Sequence, residues 1–145
     1  MTILIINGPS LNLLGEREPE IYGSKTYTDL TTSLEQLADK LGVKVIIHQT
    51  NYEGMIIDLL QLAHREKYHG VLLNAGAFTH YSYALYDAIK AISIPVIEVH
   101  LTAPMERQES FRKTSVIQAV CKATFSGQGF DSYRQALTYL SGVSS

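Results

Sequence analysis

The chain has 145 residues, with twelve Lys and Arg against fourteen Asp and Glu, for a formal net charge of −2. That length suits a single domain that buries a core unaided, and the lone Cys121 excludes an internal disulfide or a cysteine-based metal cage, as befits a buried thiol in a reducing cytoplasm. The charge is mixed with no basic stripe for nucleic acid, no run approaches the ~20 apolar residues of a membrane span, and the N-terminus lacks the basic region of a signal peptide.

The first predicted strand, Ile3 to Ile6, ends at Asn7 and opens a long polar loop over residues 7–25. Leu30, Leu34, Leu37 and Leu41 then recur at helical spacing behind a candidate cap, Thr28, and Gly42 closes that helix. A second strand, Val43 to His48, leads into Gln49. Asn51 is the candidate cap of a second helix whose inward face is Met55, Ile56, Leu59, Leu60 and Ala63. Gly70 resets the chain into the strand Val71 to Leu73, which ends at Asn74. The third helix is expected over about Ser82 to Ala91, with Leu85, Ala88 and Ile89 inward. Pro95 is admissible at the start of the fourth strand, Val96 to Val99, which runs into His100. Residues 103–114 are charged and less periodic. A fifth strand, roughly Ala119 to Phe125, meets Gly127-Gln128-Gly129, and Asp131 is the candidate cap of a last helix carrying Tyr133, Leu137 and Leu140.

Apolar runs alternating with helices predict an α/β fold, a flavodoxin-like three-layer sandwich around a five-stranded parallel sheet in the order 2-1-3-4-5. Such sheets bind ligands beyond the carboxyl ends of their strands. The polar residues ending four strands, Asn7, Gln49, Asn74 and His100, are therefore expected on one rim, near the switch point between the first and third strands.

The glycine-containing loop from Asn7 to Gly15 has neither the G-x-G-x-x-G spacing nor a Gly-Lys-Ser/Thr ending, and Pro9 removes one amide donor, so it does not read as a phosphate cradle. The next stretch, Gly15-Glu16-Arg17-Glu18-Pro19-Glu20-Ile21-Tyr22-Gly23, is long, charged and holds an aromatic. Loops of this kind serve function or form a solvated flap.

The order of several motifs carries a resemblance. Asn7-Gly8-Pro9, Leu13-Leu14-Gly15, Arg17-Glu18-Pro19, Ile21-Tyr22-Gly23, Asn51 with Glu53-Gly54, Asn74-Ala75-Gly76-Ala77, Thr79-His80, Ile94-Pro95-Val96-Ile97-Glu98-Val99-His100-Leu101 and Phe111-Arg112 stand in the order found in type II 3-dehydroquinate dehydratases. Nearly the whole chain, residues 1–145 taken as one domain, resembles that family. The resemblance implies reversible anti elimination of water from 3-dehydroquinate to 3-dehydroshikimate through an enolate, with no metal and no organic cofactor. It implies a cytoplasmic enzyme of the shikimate pathway, serving aromatic amino acid biosynthesis or quinate catabolism.

On that resemblance the base is Tyr22. A phenol of pKa about 10 is a poor base at neutral pH unless a cation stabilises the phenolate, and Arg17 supplies one. Tyr22 could instead be an amphipathic anchor for the flap. His100 is the implied acid. Glu98 shares its strand parity, so the carboxylate can favour a protonated imidazole, although a strand-end histidine can also be purely structural.

The substrate-binding positions carried over are Asn74, His80, Leu101, Thr102 and Arg112, whose fork suits hydroxyl or carboxylate oxygens but could be a surface charge beside Phe111. Asp87 matches a position that reaches a neighbouring subunit's site, and is otherwise a solvated helix residue. With Tyr81, Tyr83 and Tyr86 around it, the resemblance implies a homo-oligomer in which trimers assemble to a dodecamer.

Departures from the pattern are specific. Ser10 stands where the family usually has an asparagine that positions a water beside the enolate oxygen, with Asn12 nearby. Tyr52 replaces a frequent histidine, the segment from His100 to Arg112 is one residue longer than usual, and Lys113-Thr114-Ser115-Val116 replaces a common His-Ser-Tyr pattern. Two other readings stay open, a relative acting on a neighbouring cyclic hydroxy-ketone acid and a non-catalytic flavodoxin-like binding domain. The Schiff-base dehydratases are excluded, since 145 residues are too few for a (β/α)₈ barrel.

Overall fold

Ile3, Leu4, Ile5 and Ile6 are all buried, so their strand must be covered on both faces. The computed structural model describes residues 1–16, 20, 24–103 and 107–142, and there the run forms β1 (Thr2–Asn7). The elements that follow are α1 (Tyr27–Leu41), β2 (Lys44–Gln49), α2 (Glu53–Arg65), β3 (Gly70–Asn74), α3 (Tyr83–Ala91), β4 (Val96–Val99), β5 (Ala123–Phe125) and α4 (Phe130–Ser141). All strand pairs are parallel, in the order β2-β1-β3-β4-β5. The expected fold and topology are those observed.

Strand alternation divides the core into two layers. Ile3, Ile5, Leu72 and Ile97 pack against Leu30 and Leu34 of α1 and Leu137 and Leu140 of α4. Leu4, Ile6, Val71 and Leu73 pack on the other side against Ile56 and Leu60 of α2 and Leu85 and Ile89 of α3. Each fully buried aliphatic side chain contributes about 1.5–3 kcal/mol of transfer free energy, so the two faces of β1 and β3 dominate the hydrophobic stabilisation.

Local chemistry moved several predicted boundaries. Thr26, not Thr28, caps α1: its hydroxyl accepts from the Asp29 amide while Asp29 accepts from the Thr26 amide, a reciprocal box that Thr28 cannot make. Gly42, at φ 72°, ends the helix as expected. The α2 cap position is Tyr52, without a side-chain bond, because the Asn51 Oδ1 is occupied by the Ser10 amide and Gln49. Met55 is exposed rather than inward, one position off the buried stripe of Ile56, Leu59, Leu60 and Ala63. Gly129, not Asp131, occupies the α4 cap, and Asp131 pairs with Arg134 one turn on. The fifth strand is shorter than expected, its first part forming the 3-10 turn Gln118–Val120.

Two glycines bring the loops after β1 and β3 together. The Gly8 amide donates to the Asn74 carbonyl at 2.7 Å, and a Cβ there would lie 2.8 Å from the Ala75 backbone. Gly76 adopts φ +58° with its α-carbon against the Pro9 ring. The rim cleft therefore opens at the expected switch point. Among the described residues no helix is long and apolar enough to cross a membrane. Cys121 is half-buried, and burial, with the Glu98 charge adding to it, pushes its thiol pKa up to about 12.

Candidate active site

A cavity of about 220 Å³ opens beyond the carboxyl ends of β1, β3 and β4. Of the four strand-end residues expected on the rim, only Asn74 and His100 line it. Asn7 is fully buried beneath it, and Gln49 braces the loop after β1, donating to the Gly8 carbonyl and to Asn51. Ser10 contributes to one wall in a left-handed conformation, φ 67°, with its amide donating to Asn51 Oδ1 at 3.1 Å.

The opposite wall is built on β4. Glu98 and His100 point to the same side, and His100 Nε2 lies 2.6 Å from Glu98 Oε2. Glu98 is fully buried and also accepts from Ser115 at 2.7 Å and Thr124 at 3.2 Å. Burial by itself would raise the pKa of this carboxyl, but the hydrogen bond and charge of His100, with the two hydroxyls, hold it below the usual carboxylate value. Glu98 is thus an ionised, fully coordinated anion that fixes the imidazole. With Nε2 committed, Nδ1 is the ring nitrogen left for a ligand.

His80 lines the same cavity from the turn Gly76–His80. Its Nδ1 lies 2.8 Å from the Thr114 carbonyl, which can only accept, so Nδ1 carries the hydrogen. Burial, partly opposed by that carbonyl and reinforced by the charges of Arg112, His100 and Arg107, holds the His80 pKa below the ordinary histidine value. A neutral ring with Nδ1–H offers the Nε2 lone pair to a hydroxyl.

Leu101, Thr102 and Arg112 also line the cavity. Arg112 stacks its guanidinium 4.8 Å from the Phe111 ring centre, and among the described residues its buried Nε makes no hydrogen bond, although Glu109 lies 3.4 Å away. The site thus collects two histidines, two arginines, a serine, a threonine and an asparagine around a space suited to one small polar molecule. Among the described residues no cluster of His, Cys, Asp and Glu could hold a metal ion.

Asp87 does not reach this cavity. It is exposed on α3, near exposed Tyr81 and Tyr83 and a half-buried Tyr86. Arg17 and Tyr22 lie outside the described residues. Sequence reasoning missed Ser115 and Thr124, whose hydroxyls reach Glu98 from segments 17 and 26 residues away, a separation that leaves no spacing signal. It also missed Arg107, a further cavity-lining cation within the charged stretch.

Comparison with known proteins places this arrangement. The family described as Dehydroquinase class II matches residues 1–141. A 3-dehydroquinate dehydratase of Bacillus licheniformis is 53% identical over 137 residues, covering 94% of this chain and 93% of the relative. One from Thermus thermophilus is 51% identical over 138 residues, covering 95% and 92%. The crystal structure of a type II dehydroquinase from Butyrivibrio crossotus superposes with a TM-score of 0.94 at 43% identity, covering 97% of each chain.

Proposed function

The chain belongs to the class II dehydroquinase family, and from that premise we propose that it is a hydro-lyase that removes water from 3-dehydroquinate to give 3-dehydroshikimate. The observation that carries this reading is the buried Glu98 carboxylate clamped to His100 at the cavity wall.

In the proposed reaction Tyr22, as a phenolate stabilised by Arg17, takes the proton beside the ketone. The electron pair left behind moves onto the ketone oxygen, and the enolate is held by a water positioned by Ser10. The enolate then collapses, the carbon–oxygen bond to the leaving hydroxyl breaks, and His100 donates the proton that completes a water molecule. Glu98 keeps His100 oriented and counters the imidazolium charge. Asn74 and His80 bind hydroxyls, the Leu101 and Thr102 amides hold the substrate carboxylate, and Arg112 supplies a charged fork.

We further propose a cytoplasmic homo-oligomer of trimers, closing to a dodecamer, in which Asp87 completes a neighbour's site. Its place is the shikimate pathway, toward aromatic amino acids or in quinate breakdown. The test is the appearance of conjugated enone absorbance from 3-dehydroquinate, expected without added metal and unaffected by chelator or by borohydride. Tyr22→Phe should abolish most of that turnover with substrate binding nearly intact, because it removes a group used in the transition state. Failure of the folded protein to turn over 3-dehydroquinate would overturn the reading.

A further inference from the structure

Beneath the cavity lies a hydrogen-bond chain of which the reaction above uses only Asn74. Asn7 and Asn74 are register partners at the ends of β1 and β3, facing the layer of α1 and α4. Tyr133 of α4 is fully buried and places its hydroxyl against both, 2.6 Å from Asn7 Oδ1 and 2.9 Å from Asn74 Nδ2. Neither Asn7 nor Tyr133 lines the cavity, whereas Asn74 does.

The direction of every bond follows from one backbone donor. The Gly76 amide can only donate, and it points at Asn74 Oδ1 at 3.1 Å, so that atom is the acceptor end. Asn74 Nδ2 must then face Tyr133, whose oxygen accepts. The Tyr133 proton is consequently directed to Asn7 Oδ1, and Asn7 Nδ2 donates onward to the Tyr27 hydroxyl at 3.3 Å. Burial pushes the Tyr133 phenol well above its ordinary pKa, so it keeps the proton that the chain requires. An unsupported carboxamide can rotate and exchange its donor and acceptor ends. Asn74 cannot, because each reversed contact would set donor against donor at Gly76 or strand a buried polar group.

We propose that Tyr133, with Asn7 behind it, is a positioning residue that holds the Asn74 amide in the sense set by the Gly76 amide, so that Asn74 presents an Nδ2 hydrogen to the substrate. This rests on the reading of Asn74 as a substrate contact.

The test is steady-state kinetics of Tyr133→Phe, Asn74→Ala and the double variant with 3-dehydroquinate, well below each melting temperature. Tyr133→Phe should raise KM about tenfold with kcat within about twofold, since it loosens a contact made in ground and transition states alike. In the Asn74→Ala background the same substitution should add less than about twofold. A merely structural defect lowers the active fraction, and hence apparent kcat, at unchanged KM, and its cost persists without Asn74; either result overturns the proposal. If Asn74→Ala costs nothing, the substrate-contact reading fails and the lock falls with it. If Asn74→Ala is costly but Tyr133→Phe is not, only the lock fails. Should Tyr133→Phe not fold, Asn7→Ala removes the acceptor that directs the Tyr133 proton, and its KM should rise by a similar pattern that also depends on Asn74.

Discussion

Glu98 is the residue on which most of the site's electrostatics turns. It is an acid within a β-strand, fully buried, and tolerated because three donors replace its water. Glu98→Gln keeps the volume but removes the charge, and should lower kcat by about 10–100-fold with KM within about threefold, measured by the enone assay. A depressed carboxyl pKa stabilises the fold fully above the ordinary value of 4.5, and that contribution is lost as pH falls through the lower folded value. Wild-type melting temperature should therefore fall more steeply than that of Glu98→Gln below about pH 4.5. Parallel melting curves would remove this role. Ser10 poses a different question, since it holds a left-handed conformation that asparagine tolerates better. Ser10→Asn should raise kcat with little change in KM and no loss of melting temperature. A lower kcat would mean that the cavity has adapted to serine.

At the scale of elements, the cleft depends on how closely the loop after β1 approaches the loop after β3. Gly8 sits where backbone meets backbone, and Ala75 cannot move aside as a flexible side chain could. Gly8→Ala should destabilise the protein by about 1–3 kcal/mol, the range for forced overpacking, measured by denaturant unfolding. Because the Ser10 wall and the Asn74 turn shift together, kcat/KM should fall as well, even where folding is complete. Wild-type stability and activity in Gly8→Ala would show that the loops have slack. Gly54, by contrast, has open space around its α-carbon, so alanine there serves as a control of equal chemistry.

At the scale of the whole molecule, the cavity is walled by β1, β3 and β4 loops, yet Asp87 lies on the outer face of α3. If it serves a site, that site belongs to another copy. Tyr81 and Tyr83, 58% and 74% exposed, precede it in the chain and are aromatics of the kind enriched at interfaces. Light scattering should report a closed oligomer built of trimers, and dilution to monomers should cost activity while circular dichroism still reports the fold. Asp87→Ala should lower activity in the oligomer without changing the melting temperature by more than a few degrees. A fully active monomer would remove both the assembly and the role of Asp87.

The sequence by itself determined the layers and the order of the sheet. Apolar runs such as Ile3 to Ile6 must be covered on both faces, helical stripes such as Leu30, Leu34 and Leu37 must face a core, and right-handed crossovers leave one economical topology. It also placed Glu98 and His100 on one side of β4, because strand parity is a local property. Local rules failed where two distant segments competed for the same group: Asn51 serves the Ser10 amide instead of capping α2. The tertiary structure alone decided that Asn7 is a buried brace while Asn74 reaches the cavity, since both end apolar strands in the same way. It alone brought Ser115 and Thr124 to Glu98 and Tyr133 to both asparagines. A hydrogen bond spanning 126 residues, as between Tyr133 and Asn7, has no period or motif to announce it, because only the packing of α4 on the sheet sets that distance.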